Sequence, residues 1–147
     1  MKIIIGADHG GFQLKEELIK ILNNFHVQVI DVGAFEYNGS DDYPDFAIAV
    51  AKMISNKEGD KGIIICGSGV GASVAANKIK GVRAAVCHDT YSAKQGVEHD
   101  DLNVLCLGGR IIGIEVAKEL LSAFINAKYS GEERHDRRLK KVLELEK

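Results

Sequence analysis

The sequence predicts an α/β protein: a three-layer αβα sandwich around a five-stranded parallel sheet, with an extra helix at the C-terminal end. Three observations carry this. Short runs rich in Ile and Val alternate with helix-patterned segments along all 147 residues. The strongest runs, such as Ile63-Ile64-Ile65, are apolar at every position rather than every second one, so both faces of the sheet need cover. The helical segments carry apolar stripes at three- and four-residue steps, as helices lying on a sheet do.

Strands are expected near Lys2–Ala7, Val27–Val32, Gly62–Cys66, Val82–Cys87 and Val104–Leu107. The first helix is expected over Gly11–Phe25, where Leu14, Leu18, Ile21, Leu22 and Phe25 form one stripe. The second is expected over Pro44–Asn56, and Pro44 suits a first turn, where no amide bond is lost. Further helices are expected over Gly71–Ile79, Tyr91–Glu98 and Gly113–Lys128. A charged helix follows from about Glu133, with Leu139, Val142, Leu143 and Leu145 as a narrower stripe. The expected strand order is 2-1-3-4-5. With no internal repeat or linker, residues 1–147 read as one domain, and a chain of this length buries roughly 68–70% of its unfolded surface.

A net charge of −2 gives no global attraction to nucleic acid or a membrane surface, so any anion site is local. No apolar run approaches the ~18 residues of a membrane span. Three cysteines without CxxC spacing suggest neither a disulfide framework nor a metal centre, and free thiols fit a reducing cytoplasm.

In Rossmann-like sheets, ligands bind beyond the carboxyl ends of the strands, where strand order reverses. Strand 1 runs into Asp8-His9-Gly10-Gly11, strand 3 into Cys66-Gly67-Ser68-Gly69-Val70-Gly71, strand 4 into His88-Asp89 and strand 5 into Gly108-Gly109-Arg110. The glycine loop opens a helix, so its amides can face an anion. A thiol beside a helix start ionises more readily than a free one. Cys66 is therefore a candidate base, and Ser68 can orient it or bond a substrate oxygen. Cys87 and Cys106 lack such a loop and are assigned to the core. A rival reading takes Gly67-Ser68-Gly69-Val70-Gly71-Ala72 as a dinucleotide fingerprint, with Asp89 as its acidic residue.

His99 precedes strand 5, at the opposite end of the sheet from this crevice. Within one subunit it cannot reach Cys66; it is either a solvated turn residue or part of a site completed by a second subunit. Arg134 and Arg138, four apart on one helix face, are either a solvated basic face or a clamp for a phosphate dianion.

The stretches "ADHGGF" at 7–12, "DYPDFA" at 42–47, "ICGSGVGASVAANK" at 65–78, "YSA" at 91–93, "NVLCLGGRIIG" at 103–113 and "RHDRR" at 134–138 run co-linearly through the whole chain. In these the sequence resembles the type B ribose-5-phosphate isomerases, part of a sugar-phosphate isomerase family that includes the galactose-6-phosphate isomerase subunits. The resemblance implies an aldose–ketose isomerase acting without metal or organic cofactor, as a homodimer or tetramer with shared sites. It implies Cys66 as the base moving a proton between C1 and C2, and the loop of Gly67, Ser68, Gly69, Val70 and Gly71 as binder of substrate and enediolate. It further implies that Asp8 and His9 line the sugar, that His99 opens the ring, and that Arg110, Arg134 and Arg138 bind phosphate. One departure stands out: many members carry Asn after the histidine, where this chain has Asp100. An ionised aspartate only accepts hydrogen bonds, whereas an amide also donates. Asp100 therefore bears on which sugar is preferred.

Overall fold

Ile3, Ile4 and Ile5, in strand β1 (Lys2–Ala7), and Ile63, Ile64 and Ile65, in β3 (Lys61–Cys66), are removed from solvent on both faces of one sheet. The computed structural model describes residues 1–147. It adds β2 (Gln28–Asp31), β4 (Ala84–Val86) and β5 (Val104–Gly108), and every strand pair is parallel. The helices are α1 (Phe12–Leu22), α2 (Tyr43–Ser55), α3 (Val70–Ala76), α4 (Thr90–Asp100), α5 (Ile114–Asn126) and α6 (Glu133–Leu143). No helix is long and apolar enough to cross a membrane.

Alternation along each strand divides the core in two. Ile3, Ile5, Ile63, Ile65, Leu105 and Leu107 point to one face, where they meet α1, α4 and α5 through Leu18, Ala93 and Phe124. Ile4, Ile64, Val104 and Cys106 point to the other, against Val50 and Ile54 of α2 and Ala72 and Ala76 of α3. This is the expected three-layer sandwich. Cys87 and Cys106 lie in these cores; burial pushes the Cys87 thiol up to about 11 and raises that of Cys106 as well. Pro44 falls in the first turn of α2, as expected.

Strand order differs from the expectation. It is β2-β1-β3-β5-β4, so β5 stands beside β3 and β4 forms the edge. The cause is burial. All five residues of β5 are buried and fill the centre of the sheet, while β4 has three half-buried residues and tolerates an open side. The consequence is functional: the ends of β1, β3 and β5 become neighbours.

Two buried lysines fasten the layers. Lys15 of α1 meets the Asp31 carboxylate at 2.7 Å, and Lys61 donates to the carbonyls of Phe124, Ile125 and Ala127 at the end of α5 (2.5, 3.4 and 2.9 Å). Burial lowers the Lys61 ammonium from 10.5 to about 8, against a raising influence from Asp101. The linkage has a definite sign. Below pH 8 both folded and unfolded chains hold the proton; between about 8 and 10.5 the unfolded chain holds more, so stability rises with pH. Urea unfolding should show the wild type gaining on Lys61→Met across that window, by on the order of 3 kcal/mol. A difference independent of pH would contradict this.

Candidate active site

Three turns meet at the carboxyl end of the sheet because the strands end level: Ala7 lies opposite Ile65, and Cys66 opposite Gly108. The turns are in contact through glycine. Gly109 packs on the carbonyl of Gly10, and a side-chain carbon at Gly10 would sit 2.8 Å from the amide of Gly67. Hydrogen bonds from the Gly109 amide to the Cys66 carbonyl (2.8 Å) and from the Arg110 amide to the Gly67 carbonyl (3.1 Å) join the β5 turn to the glycine loop.

The result is an opening of about 350 Å³ lined by Asp8, Tyr43, Cys66, Gly67, Ser68, Gly71, Arg110 and Ile111. Cys66 is 5% exposed, and its Sγ accepts the amide of Gly69 at 3.1 Å. Gly69 makes this possible: its φ of +83° turns the chain into α3 while pressed against the backbone of Leu107. The thiol is thus held by the loop's main chain. Ser68 does not orient it; its exposed hydroxyl accepts the Val70 amide at 3.3 Å. The amides of Gly71 and Ala72 lie in the first turn of α3, where no carbonyl within the helix reaches them.

Asp8 is 6% exposed, and its Oδ1 accepts the Gly10 amide at 2.9 Å. Burial raises its carboxyl above the ordinary aspartate value, with the Gly10 amide and His9 pulling the other way. His9 is turned towards Asp41, its Nδ1 2.7 Å from Oδ1.

Structure separates the remaining candidates from this crevice. His99 lies in the last turn of α4, with Nδ1 2.9 Å from the Gln95 amide nitrogen. Its ring stacks on His135 with centroids 3.9 Å apart. His135 is 2% exposed and bonds the Ser130 hydroxyl at 2.6 Å; burial, then the charges of His99 and Arg134, lower its pKa. Arg134 is exposed beside Glu132, at 3.2 Å. Asp100 and Arg138 face a separate groove along the open edge of β4, which Leu139, Val142 and Leu145 also line. One chain therefore holds these residues in two separate groups: Asp8, Cys66–Gly71 and Arg110 at the crevice, and His99, Asp100, Arg134, His135 and Arg138 around α4 and α6.

The dinucleotide reading loses its acidic residue. Asp89 caps α4, its Oδ1 accepting the Ser92 amide at 2.6 Å, and this bond draws its carboxyl below the ordinary value. Sequence reasoning also missed Tyr43, whose ring covers Gly71 at the crevice wall, although "DYPDFA" had marked the segment. It missed Asp41 and the His99–His135 stack as well, since partners of this kind are distant or cross-element contacts without a periodic signature.

Comparison with known proteins finds relatives that match this chain over nearly its full length. A sequence model of the Ribose/Galactose Isomerase family matches residues 3–142. The ribose-5-phosphate isomerase B of Escherichia coli (strain K12) is 44% identical, over 99% of this chain and 96% of that one. The structure of Clostridium thermocellum ribose-5-phosphate isomerase B superposes with a TM-score of 0.95 at 45% identity, covering 99% of this chain and 97% of that chain. Ribose-5-phosphate isomerase B from Mycoplasma genitalium, solved with bound ribulose-5-phosphate, gives 0.92 at 40% identity, with 99% and 95% covered. The chain belongs to the ribose/galactose isomerase family.

Proposed function

We propose that this protein interconverts ribose 5-phosphate and ribulose 5-phosphate, with Cys66 as base and with His99 supplied by a second copy of the chain. The observation that carries the reading is the Cys66 thiol, fixed by the Gly69 amide inside a crevice shared with Asp8, Ser68 and Arg110. The likeness to the Mycoplasma genitalium protein holding ribulose-5-phosphate supports the substrate.

The steps follow from the chemistry. His99 moves a proton between ring oxygen and anomeric hydroxyl, opening the furanose; an imidazole can accept a proton at one nitrogen and donate one in the return direction. The Cys66 thiolate takes the C2 proton of the open aldose. Electrons of that C–H bond form the C1–C2 double bond of an enediolate, and charge passes to O1. Loop amides such as Gly71 face that charge, and such a donor contributes about 2.7–4 kcal/mol where measured. The thiol returns its proton to C1, a proton passes from O2 to O1, and the ketose is formed. Arg110 from the same chain, with Arg134 and Arg138 from the partner, binds the phosphate, using the planar donor fork of guanidinium. Two copies, with each crevice meeting the other's α4–α6 end, bring the two groups together.

A panel of ribose 5-phosphate, erythrose 4-phosphate, allose 6-phosphate and galactose 6-phosphate, assayed for ketose, tests the substrate. Ribose 5-phosphate should give the highest kcat/KM, and Asp100→Asn should change the ranking among sugars more than the rate on the best one. A higher value for a six-carbon sugar would overturn the pentose assignment.

A further inference from the structure

We propose that Asp41 is a positioning residue for His9: its carboxylate keeps the imidazole proton on Nδ1 and leaves Nε2 as the nitrogen available to the sugar phosphate. This rests on the reading that His9 lines the substrate. Asp41 lies in the segment between β2 and α2, far from His9 in sequence, yet one oxygen serves that residue twice. Oδ1 accepts the His9 backbone amide at 2.9 Å and faces Nδ1 at 2.7 Å.

A carboxylate oxygen already accepting one hydrogen bond can only accept a second, so the ring nitrogen opposite it carries the proton. Nε2 has no partner in the chain and is not enclosed. The ring is held on a further side by Tyr37, edge-on with centroids 6.3 Å apart. Asp8, the other charged group facing this corner, has its Oδ1 on the Gly10 amide.

Asp41 carries a cost that a purely structural turn residue would avoid. Its side chain is 11% exposed, and its second oxygen, Oδ2, is buried without a partner. Buried polar atoms are nearly always paired, and an orphan in a native structure calls for a reason. Here the reason is orientation. A sugar phosphate needs a known nitrogen in a known place, and small misplacements near reacting groups lose large rate factors.

Wild type, Asp41→Ala, Asp41→Asn and His9→Ala decide the matter. Two-dimensional 15N–1H imidazole spectra, recorded at rising pH until the ring shifts stop changing, report which nitrogen holds the proton of the neutral ring; His9→Ala assigns the signal. The wild type should show Nδ1–H, Asp41→Ala should move towards Nε2–H, and Asp41→Asn, whose Oδ1 still accepts, should keep Nδ1–H. In turnover of ribose 5-phosphate, Asp41→Ala should lose about 10- to 100-fold in kcat/KM, mostly through KM, and Asp41→Asn should recover most of it. Persistence of Nδ1–H in Asp41→Ala, or wild-type kinetics for Asp41→Ala or His9→Ala, would overturn the proposal. A wild type inactive on every aldose phosphate would sink the isomerase reading alone, because the spectra fix the tautomer without substrate.

Discussion

Cys66→Ala is expected to lower kcat for ribose 5-phosphate by at least about 10²–10⁴-fold, the usual contribution of a positioned acid or base. Binding should remain near wild type. The sulfur presents little surface, since Cys66 is 5% exposed, and the proposed phosphate and sugar contacts belong to other side chains. The fold should hold too: alanine leaves a small gap beside Ala72 and Ala76 and frees the Gly69 amide from Sγ, a local cost confined to the glycine loop with no charge lost from the core. Calorimetric titration with ribose 5-phosphate alongside a ketose assay separates the two effects. Turnover retained in this variant would remove Cys66 from the mechanism.

His99→Asn should act on a different step. The proposed task of His99 is ring opening, so loss of the imidazole should reduce conversion of ribose 5-phosphate by about 10²-fold or more. Ribulose 5-phosphate, whose C5 hydroxyl is esterified, forms no furanose and should be affected less. Initial rates in the two directions provide the comparison. Equal loss in both would assign His99 to the proton transfer itself or to substrate binding. The stacked His135 is expected to remain buried and bonded to Ser130, keeping this end of α4 folded in the variant.

Much of this architecture was legible in the sequence because the governing signals are local. Continuous apolar runs announced strands covered on both faces, three- and four-residue spacing announced the helices, and Pro44 marked a helix start. The glycine turns at 10–11, 67–71 and 108–109 announced their own crowding. Strand order was not legible in this way. Both β4 and β5 read as short apolar segments, and only the comparison of their burial, complete in β5 and partial in β4, shows which belongs inside. That exchange carries Arg110 from the expected sheet edge to the side of Gly67, so the order of the strands decides which loops share the crevice. The placement of His99 at the far end of its own chain was correct from topology alone. Its stack with His135 was not foreseeable, because contacts between α4 and α6 depend on how the chain returns after α5. Asp41 escaped for a similar reason: it sits in an acidic turn like many others, and only the distance to Nδ1 distinguishes it.

Sharing of one site between two copies is tested most directly by mixing the two inactive variants. In a heterodimer of Cys66→Ala with His99→Asn, one crevice joins the intact thiol of one protomer to the intact imidazole of the other, while its twin lacks both. Purified heterodimers, selected by two different affinity tags, should recover about half the wild-type rate per dimer, from parents that are each nearly inactive. Verified heterodimers no more active than their parents would contradict a sulfur and an imidazole from separate chains meeting over one sugar phosphate.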